Sequence, residues 1–185
     1  MADLTDALEI YRNVKRGPGA GVHVLTGPVY VEGAAPGDID FKHAVRGSTL
    51  YLPVFNEGAQ FFTGDCHALQ GDGEVNGTAI EISLAPTLQL VLHKGAGRDM
   101  HWPRAEDAAH YYTMGMDTDL DVALKLAVGE AVAFLQKSAG LTAADAYALC
   151  SLGVDFRIGE AVNTVKMVYG AIPKRLIPCR YTEKE

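Results

Sequence analysis

The spacing of apolar residues predicts a first half of the chain that is rich in short strands. Apolar runs bounded by glycine and proline, which are typical of strands, occur at 22–25, 28–32 and 48–55. Pro53 confines the last run to the edge of a sheet or to a bulge, because proline has no N–H to donate to a neighbouring strand. Apolar residues then alternate with polar ones from 78 to 94, on both sides of Pro86, which predicts two consecutive strands or one bent strand.

The second half of the chain contains two predicted helices. Between 118 and 137 apolar residues recur at helical spacing, with Thr118 placed to cap the start of the helix and Gly140 to end it. A second helix is predicted from Thr142 to about Cys150, and Asp145 three residues after the threonine completes a near capping box. The apolar stripe of the first helix is more typical of a core face than of a partner-binding surface.

The remaining segments complete an α+β pattern. Alternation at 154–158 and a run at 162–169 predict two strands after the helices. The stretch 95–112 is interpreted as a long polar connection, and its residues 100–103 are a candidate cover for a cleft, since loops of this length are often functional. Residues 1–20 are interpreted as a peripheral segment, with a short helix ended by glycine and proline. We predict a single domain over the whole chain.

Composition narrows the partners and the compartment. The chain has 185 residues, of which 23 are acidic and 16 basic, and its net charge of -7 argues against nucleic acid or an anionic membrane as a partner. Three widely spaced cysteines form no disulfide framework, so a reducing cytoplasm is expected. The acidic N-terminus does not resemble a secretory signal. The most apolar stretch, 120–135, is interrupted by charged residues and is not a membrane span.

The loop from Gly64 to Glu74 carries the densest set of reactive side chains. If its first residues are extended, Asp65 and His67 lie on one face, because side chains two apart in a strand share a face. Asp72 and Glu74 form a second such pair, and the glycines that flank Asp72 allow a sharp bend between the pairs. We expect the four groups to converge as ligands for zinc, or for manganese or calcium if oxygen ligands dominate.

Other interpretations of this loop stay open. Aspartate and glycine are also the residues of ordinary surface turns, and a single histidine is more often packed or solvated than bound to metal. The spacing does not match an EF-hand, because Leu69 and Gln70 stand where an acceptor and a glycine are required, and no HExxH is present. Cys66 is disfavoured as a nucleophile because neighbours in a strand, such as Cys66 and His67, face opposite sides. No GxSxG motif is present.

Several blocks of the chain follow one another in a recognisable order. They are Leu25–Asp38, Gly47–Val54, Gly64–Glu74, Gly77–Glu81, Thr113–Asp117, and Ser151–Phe156 continuing to Ile172–Lys174. Together they cover most of residues 21–175 and resemble the acetamidase/formamidase family, and the Gly-Asp-x-His-x-x-Gln-Gly-Asp-Gly-Glu loop is the most specific of them. The resemblance implies a cytoplasmic enzyme, dimeric or larger, that cleaves short-chain amides to carboxylate and ammonia. It also implies β-sandwich-like antiparallel or mixed sheets with two C-terminal helices followed by further strands.

The resemblance describes a shortened relative. Family members carry a large block between a Pro-Gly-Asp motif and a Gly-Asn-x-Asp motif. Here the two motifs are fused into Gly37–Asp40, so that Asp38 stands where the family pattern has asparagine. Any ligand or pocket wall that the missing block supplies is therefore absent or replaced.

Amide hydrolysis assigns the loop residues to roles. It requires an activated water, and a bound divalent metal supplies one by lowering the pKa of that water. We hypothesise that Asp65 and His67 are metal ligands, with Asp40 from the preceding motif as a third ligand and zinc as the first choice of metal. Glu74 or Asp72 is then the general base.

Three further residues are candidates for the site. Gln70 is a candidate amide-orienting hydrogen-bond donor, and His101 on the predicted connection is a candidate substrate contact for which a surface or packing role is the default. Glu32, which comes from the family resemblance alone, is a candidate for acid/base work. The expected partner is a small amide, such as formamide, acetamide or a small lactam. The alternative is a truncated, non-catalytic member of the family that serves as a binding or assembly module.

Overall fold

The structure is a computed structural model that describes residues 39–54 and 63–177. The predicted features outside these residues are the peripheral segment at 1–20, the strands at 22–25 and 28–32, Asp38, and the candidate catalytic residue Glu32. Within the described part, no helix is both long and apolar enough to cross a membrane.

The described residues contain seven strands in two antiparallel sheets. In chain order they are β1 Thr49–Tyr51, β2 His67–Leu69, β3 Ile80–Glu81, β4 Arg104–Glu106, β5 His110–Asp117, β6 Asp155–Glu160 and β7 Lys166–Pro173. Five form the main sheet in the order β1-β4-β5-β7-β6, and β2 pairs with β3 separately. Strands β5 and β7 pair along their full length, from His110 opposite Pro173 to Asp117 opposite Lys166. Among the described residues, β1 lies at an edge of the main sheet, as Pro53 predicts.

Both predicted helices are present. They are α1 Leu120–Ala139 and α2 Ala143–Gly153, and two 3-10 turns lie at Ala96–Asp99 and Lys174–Leu176. Gly140 ends α1 in the left-handed conformation, at φ 69°, which costs glycine little because it has no Cβ. Thr142 caps α2 as predicted, because its hydroxyl oxygen accepts a hydrogen bond from the Asp145 N–H at 3.2 Å.

The cap of α1 differs from the prediction. Asp119, not Thr118, precedes the first helical residue, and its carboxylate accepts from the N–H groups of Asp121 and Val122 at 2.8 and 3.2 Å. A carboxylate serves here better than a hydroxyl because the helix N-terminus also favours negative charge.

The two faces of the main sheet are covered differently. On one face, Ala123 and Ala127 of α1 pack against Val168 of β7. The helix approaches β5 so closely at Gly115 that a Cβ there would lie 2.3 Å from the Ala127 backbone nitrogen. The opposite face is covered by a buried aromatic and methionine cluster of Phe41, Tyr112, Met114, Met116, Met167, Tyr169 and Ala171, with Ala105 of β4 beside them.

The stretch 95–112 is not a long polar connection, contrary to the prediction. It contains a 3-10 turn, all of β4 and the start of β5. The sequence does not predict β4 because its charged residues resemble those of a polar loop, whereas in the structure they form ion pairs with distant residues. Arg104 Nη2 lies 2.7 Å from Glu130 Oε2, and Glu106 forms an ion pair with Lys174.

The strands predicted from 78 to 94 are largely absent. Only Ile80–Glu81 forms a strand, and Leu88, Leu90 and Leu92 are exposed. Alternation measures how well a segment suits a strand, but a strand also needs a partner for its N–H and C=O groups. Within the described residues, residues 82–94 form no strand and pair with none.

The last two strands confirm the predicted alternation. The run at 154–158 corresponds to β6, and the run at 162–169 corresponds to β7, which begins later, at Lys166. Antiparallel sheets with two helices confirm the α+β class, whereas the β-sandwich arrangement and the single domain stay predictions.

The turn between β4 and β5 is held by the Asp107 carboxylate. Its Oδ1 accepts from the N–H groups of Ala109 and His110, both at 2.7 Å, and its Oδ2 accepts from the Tyr112 hydroxyl at 2.6 Å. Partial burial opposes ionisation, but these bonds outweigh it and lower the pKa of Asp107 to about 2. Because the unfolded pKa is about 3.9, ionised Asp107 stabilises the fold above about pH 4, and that stability is lost as the pH falls towards 2.

Asp107→Asn should therefore destabilise the protein in a pH-dependent way. We expect the free energy of unfolding to fall by about 1 kcal/mol at pH 7, allowing for solvent screening, and the difference from wild type to shrink below about pH 4. Urea unfolding across this pH range measures both. The control is Asp155→Asn, whose 75% exposed carboxylate should contribute less than about 0.5 kcal/mol. A loss that is the same at every pH would contradict the role of the ionised carboxylate.

Gly115→Ala should destabilise the contact between β5 and α1. The added methyl would meet the helix backbone rather than a flexible side chain, so we expect a loss of about 3 kcal/mol or more. Gly129→Ala is the control, because a Cβ at Gly129 meets nothing within 4 Å, and alanine favours a helix interior. Denaturant unfolding measures the free energy of unfolding of both variants. Equal values would show that the helix can move away from the sheet at little cost.

Candidate metal and catalytic site

The β2–β3 hairpin brings His67 and Glu81 together. The two residues lie opposite each other in the register, and the Ile82 N–H donates to the Cys66 carbonyl at 3.0 Å. His67 Nε2 consequently lies 3.0 Å from Glu81 Oε2. Glu81 is a site residue that the sequence analysis missed, and the signal that would have revealed it is the cross-strand pairing of the hairpin.

The imidazole of His67 is surrounded by carboxylates. Its Nε2 lies 3.3 Å from Asp65 Oδ1, its Nδ1 lies 3.9 Å from Asp40 Oδ1, and its side chain is 7% exposed. Burial opposes protonation of His67. The negative charges of Asp65, Glu81 and Asp40, together with a hydrogen bond to Gln70, outweigh burial and raise the pKa of His67. The imidazole therefore sits in a strongly negative environment.

Asp40 and Glu74 form a carboxylate pair beside this histidine. Gln70 Nε2 donates to Asp40 Oδ1, and the same glutamine contacts His67, so that it connects the two. Glu74 is 9% exposed. Burial raises the pKa of Glu74 to about 7, helped by its hydrogen bond with Asp40 and the charge of that residue.

The loop that carries Glu74 is fixed to the edge of the main sheet. The Gly73 N–H donates to the Gly159 carbonyl at 3.2 Å, and the Ala161 N–H donates to the Gly73 carbonyl at 2.9 Å. Gly73 has a φ of 85°, and Glu74 follows in the left-handed region at φ 40°. This backbone path turns Glu74 towards Asp40.

Asp72 enters a different network. Its Oδ1 accepts from the Tyr169 hydroxyl at 2.8 Å and lies 2.7 Å from Lys42 Nζ, and its Oδ2 lies 3.8 Å from Arg157 Nη1. Burial opposes ionisation, but the bonds from Lys42 and Tyr169 outweigh it and lower the pKa of Asp72. The structure thus groups Asp40 and Glu74 with His67, and separately groups Asp65 and Glu81 with His67, but brings Asp72 into neither set.

The remaining candidates lie elsewhere. His101 is exposed in the bend before β4 and belongs to neither set of clustered ligand atoms within the described residues. Glu32 lies outside the described residues.

The clustered residues fit a divalent cation. Ligand atoms of Asp40, His67 and Glu74 lie within 4.8 Å of one another, and so do those of Asp65, His67 and Glu81. His67 Nε2 is buried and, despite the nearby carboxylates, makes no hydrogen bond of acceptable geometry within the described part of the chain. Imidazole nitrogen and carboxylate oxygen are the donors that zinc and manganese use in proteins.

Fold and site together define an α+β protein with a buried imidazole among carboxylates that can hold a divalent cation. A family model described as the Acetamidase/Formamidase family matches residues 37–178. The match covers more than half of the chain. This chain belongs to the acetamidase/formamidase family.

Curated relatives match in shorter stretches. An acetamidase from Mycolicibacterium smegmatis is 52% identical over 40 residues, which are 22% of this chain and 10% of that protein. A putative formamidase from Schizosaccharomyces pombe is 38% identical over 65 residues, which are 35% of this chain and 16% of that protein.

Solved structures match over most of this chain. The acetamidase of Yersinia enterocolitica is 32% identical with a TM-score of 0.65, and the match covers 77% of this chain and 42% of the acetamidase chain. The acetamidase of Bacillus halodurans is 26% identical with a TM-score of 0.62, and the match covers 76% of this chain and 47% of the acetamidase chain. This chain therefore spans less than half the length of both structures.

The clustered ligand atoms predict that His67→Ala weakens the binding of a divalent cation at this site. We expect the affinity for Zn²⁺ to fall at least about a hundredfold, because losing a ligand exceeds the 10- to 100-fold cost of losing a group that orients one. Titration of metal-free protein against a chelating dye measures the affinity. His93→Ala is the control, because this histidine is exposed. Unchanged Zn²⁺ affinity in His67→Ala, or an equal loss in His93→Ala, would remove His67 from the ligand set.

Proposed function

We propose that this chain hydrolyses short-chain carboxamides, such as formamide, acetamide or a small lactam, with a metal-activated water, and that it releases ammonia from linear amides. The observation that carries the proposal is the buried imidazole with four nearby carboxylates in a member of the acetamidase/formamidase family. The names of the relatives, acetamidase and putative formamidase, support the substrate class.

In this proposal Asp65 and His67 hold the metal through the Nε2 side of the imidazole, with Glu81 as a further ligand, zinc as the first candidate, and manganese or calcium as alternatives. Asp40, the third ligand of the sequence hypothesis, lies on the Nδ1 side of the ring in a second group with Glu74. A divalent cation bound there would lower the pKa of a bound water from 15.7 towards about 7 and would polarise the amide carbonyl. Both groups of ligand atoms share His67, which makes this imidazole the central residue of the site.

Glu74 is the general base in the proposed reaction. Its buried carboxylate lies beside Asp40 and His67, where it can take a proton from the attacking water and give it to the departing nitrogen. Asp72 is the weaker candidate, because Tyr169 and Lys42 already bind its carboxylate.

The other candidates receive supporting roles. Gln70 hydrogen-bonds both Asp40 and His67, so we assign it to orienting these two side chains. Direct contacts of Gln70 and His101 with the substrate, and acid/base work by Glu32, stay predictions.

Assembly and compartment complete the proposal. We propose that the protein is cytoplasmic and forms a homodimer or a larger homo-oligomer. Light scattering of the purified protein measures the number of subunits. Three cysteines without a disulfide framework are consistent with a reducing compartment.

Glu74→Gln should lower the rate of hydrolysis while leaving the fold intact. Loss of a general base typically costs about 10²- to 10⁴-fold in kcat. The assay measures ammonia from formamide and acetamide and ring opening of a small lactam by chromatography, with Zn²⁺, Mn²⁺ or Ca²⁺ added in turn. Asp155→Asn, which alters an exposed carboxylate on β6, is the control. A Glu74→Gln variant with the wild-type kcat would show that another group takes the proton.

The alternative is a non-catalytic binding or assembly module. The match covers 42% and 47% of two solved relatives, so the activity of those whole proteins is not carried over with it. A folded, metal-loaded protein that hydrolyses none of the three amides would support the module and overturn the proposed enzyme.

A further inference from the structure

A second polar network lies beside the candidate site, and Tyr169 is at its centre. Tyr169 belongs to β7 and is fully buried. Its hydroxyl donates to Asp72 Oδ1 at 2.8 Å and lies 3.2 Å from His43 Nε2. A buried hydroxyl with two polar neighbours fixes the position of each, because moving either one leaves a buried polar atom without its hydrogen bond.

The network joins the two segments that supply Asp40 and Glu74. Asp72 lies two residues before Glu74, and Lys42, whose Nζ is 2.7 Å from Asp72 Oδ1, lies two residues after Asp40. The contact between Lys42 and Asp72 therefore ties residues 39–43 to residues 70–74. Tyr169 anchors this tie to the central part of the main sheet.

The Tyr169 ring holds the same segment through packing. The ring centroid lies 5.3 Å from that of Phe41, edge to face, and 5.5 Å from that of His43. Phe41 follows Asp40 directly and is 6% exposed. The ring thus fixes residues 41–43, and the hydroxyl fixes the loop opposite them.

We propose that the Tyr169 hydroxyl is a positioning group for the candidate site. The hydroxyl binds Asp72, and Asp72 in turn binds Lys42. These two contacts keep the Asp40 and Glu74 carboxylates beside His67. Asp72 then acts through its neighbours and does not exchange a proton with the substrate. The purpose of this positioning rests on the proposed function, whereas the mechanical link does not.

Tyr112 provides a matched control for Tyr169. It belongs to the same buried cluster, packs on Phe41 at 5.1 Å, and donates its hydroxyl to a carboxylate, that of Asp107, at 2.6 Å. Tyr112→Phe and Tyr169→Phe therefore remove the same chemical group from the same side of the sheet. Only the second removes a bond to the loop that carries Glu74.

Zn²⁺ affinity distinguishes a positioning role from a merely structural one. We expect Tyr169→Phe to weaken Zn²⁺ binding at least about tenfold, in the range found for groups that orient metal ligands. Tyr112→Phe should stay within about twofold of wild type, because its hydroxyl bonds Asp107 in the turn between β4 and β5 and not the loop that carries Glu74. In the double variant Tyr169→Phe with Asp72→Ala, the loss should not exceed that of Asp72→Ala alone, since Asp72→Ala already removes the carboxylate to which the Tyr169 hydroxyl donates. Additive losses, or equal losses in the two tyrosine variants, would overturn the proposal.

Hydrogen exchange tests the mechanical link without any metal. In metal-free protein, amide exchange in the peptides that cover 39–47 and 70–77 should rise at least about fivefold in Tyr169→Phe but not in Tyr112→Phe. Unchanged exchange in both peptides would overturn the positioning role. If the wild-type chain binds no Zn²⁺ while this exchange pattern is seen, the metal part of the proposed function fails and the positioning role survives.

Discussion

The site depends on the pair of main-chain hydrogen bonds that attaches Gly73 to the end of β6. These bonds extend the edge of the main sheet by one residue of the loop, and the residues on either side of Gly73 are then held in fixed directions. Asp72 turns towards Tyr169, while Glu74, in the left-handed region, turns towards Asp40. A single backbone contact thus separates two acidic side chains that are only two positions apart in the chain.

The second constraint is the accumulation of negative charge around one imidazole. Asp40, Asp65, Glu74 and Glu81 all offer an oxygen within 4.8 Å of a His67 ring nitrogen, and like charges this close in a partly buried site disfavour one another. The protein relieves part of this repulsion by raising the pKa values of Glu74 and His67. A divalent cation would relieve more of it, because it supplies two positive charges beside the carboxylates of the group that binds it.

The sequence predicts those features that depend on neighbours along the chain and misses those that depend on distant partners. Thr142 and Gly140 are correctly placed at helix ends because a cap involves only a few consecutive residues. Asp65 and His67 are likewise recognised from their spacing. Glu81 requires knowledge of the β2–β3 register, and the separation of Asp72 from Glu74 requires the contact of the loop with β6. The alternation of apolar and polar residues at 82–94 wrongly predicts a strand, because the pattern shows that a segment suits a strand but not whether a neighbouring strand is there to pair with it.

Backbone conformation provides evidence for the site that the side chains do not supply. Within the described residues, the non-glycine residues with positive φ are Asp65 at 53° and Glu74 at 40°, and both lie beside His67. Aspartate tolerates this region because its short side chain can bond to nearby backbone, but glutamate gains no such relief. A conformation of this kind costs about 1 to 3 kcal/mol and persists only where the surrounding contacts enforce it. An ordinary surface turn would place glycine or asparagine at such a position, so the strained Glu74 is better explained by a requirement for its carboxylate beside Asp40 than by the needs of the turn.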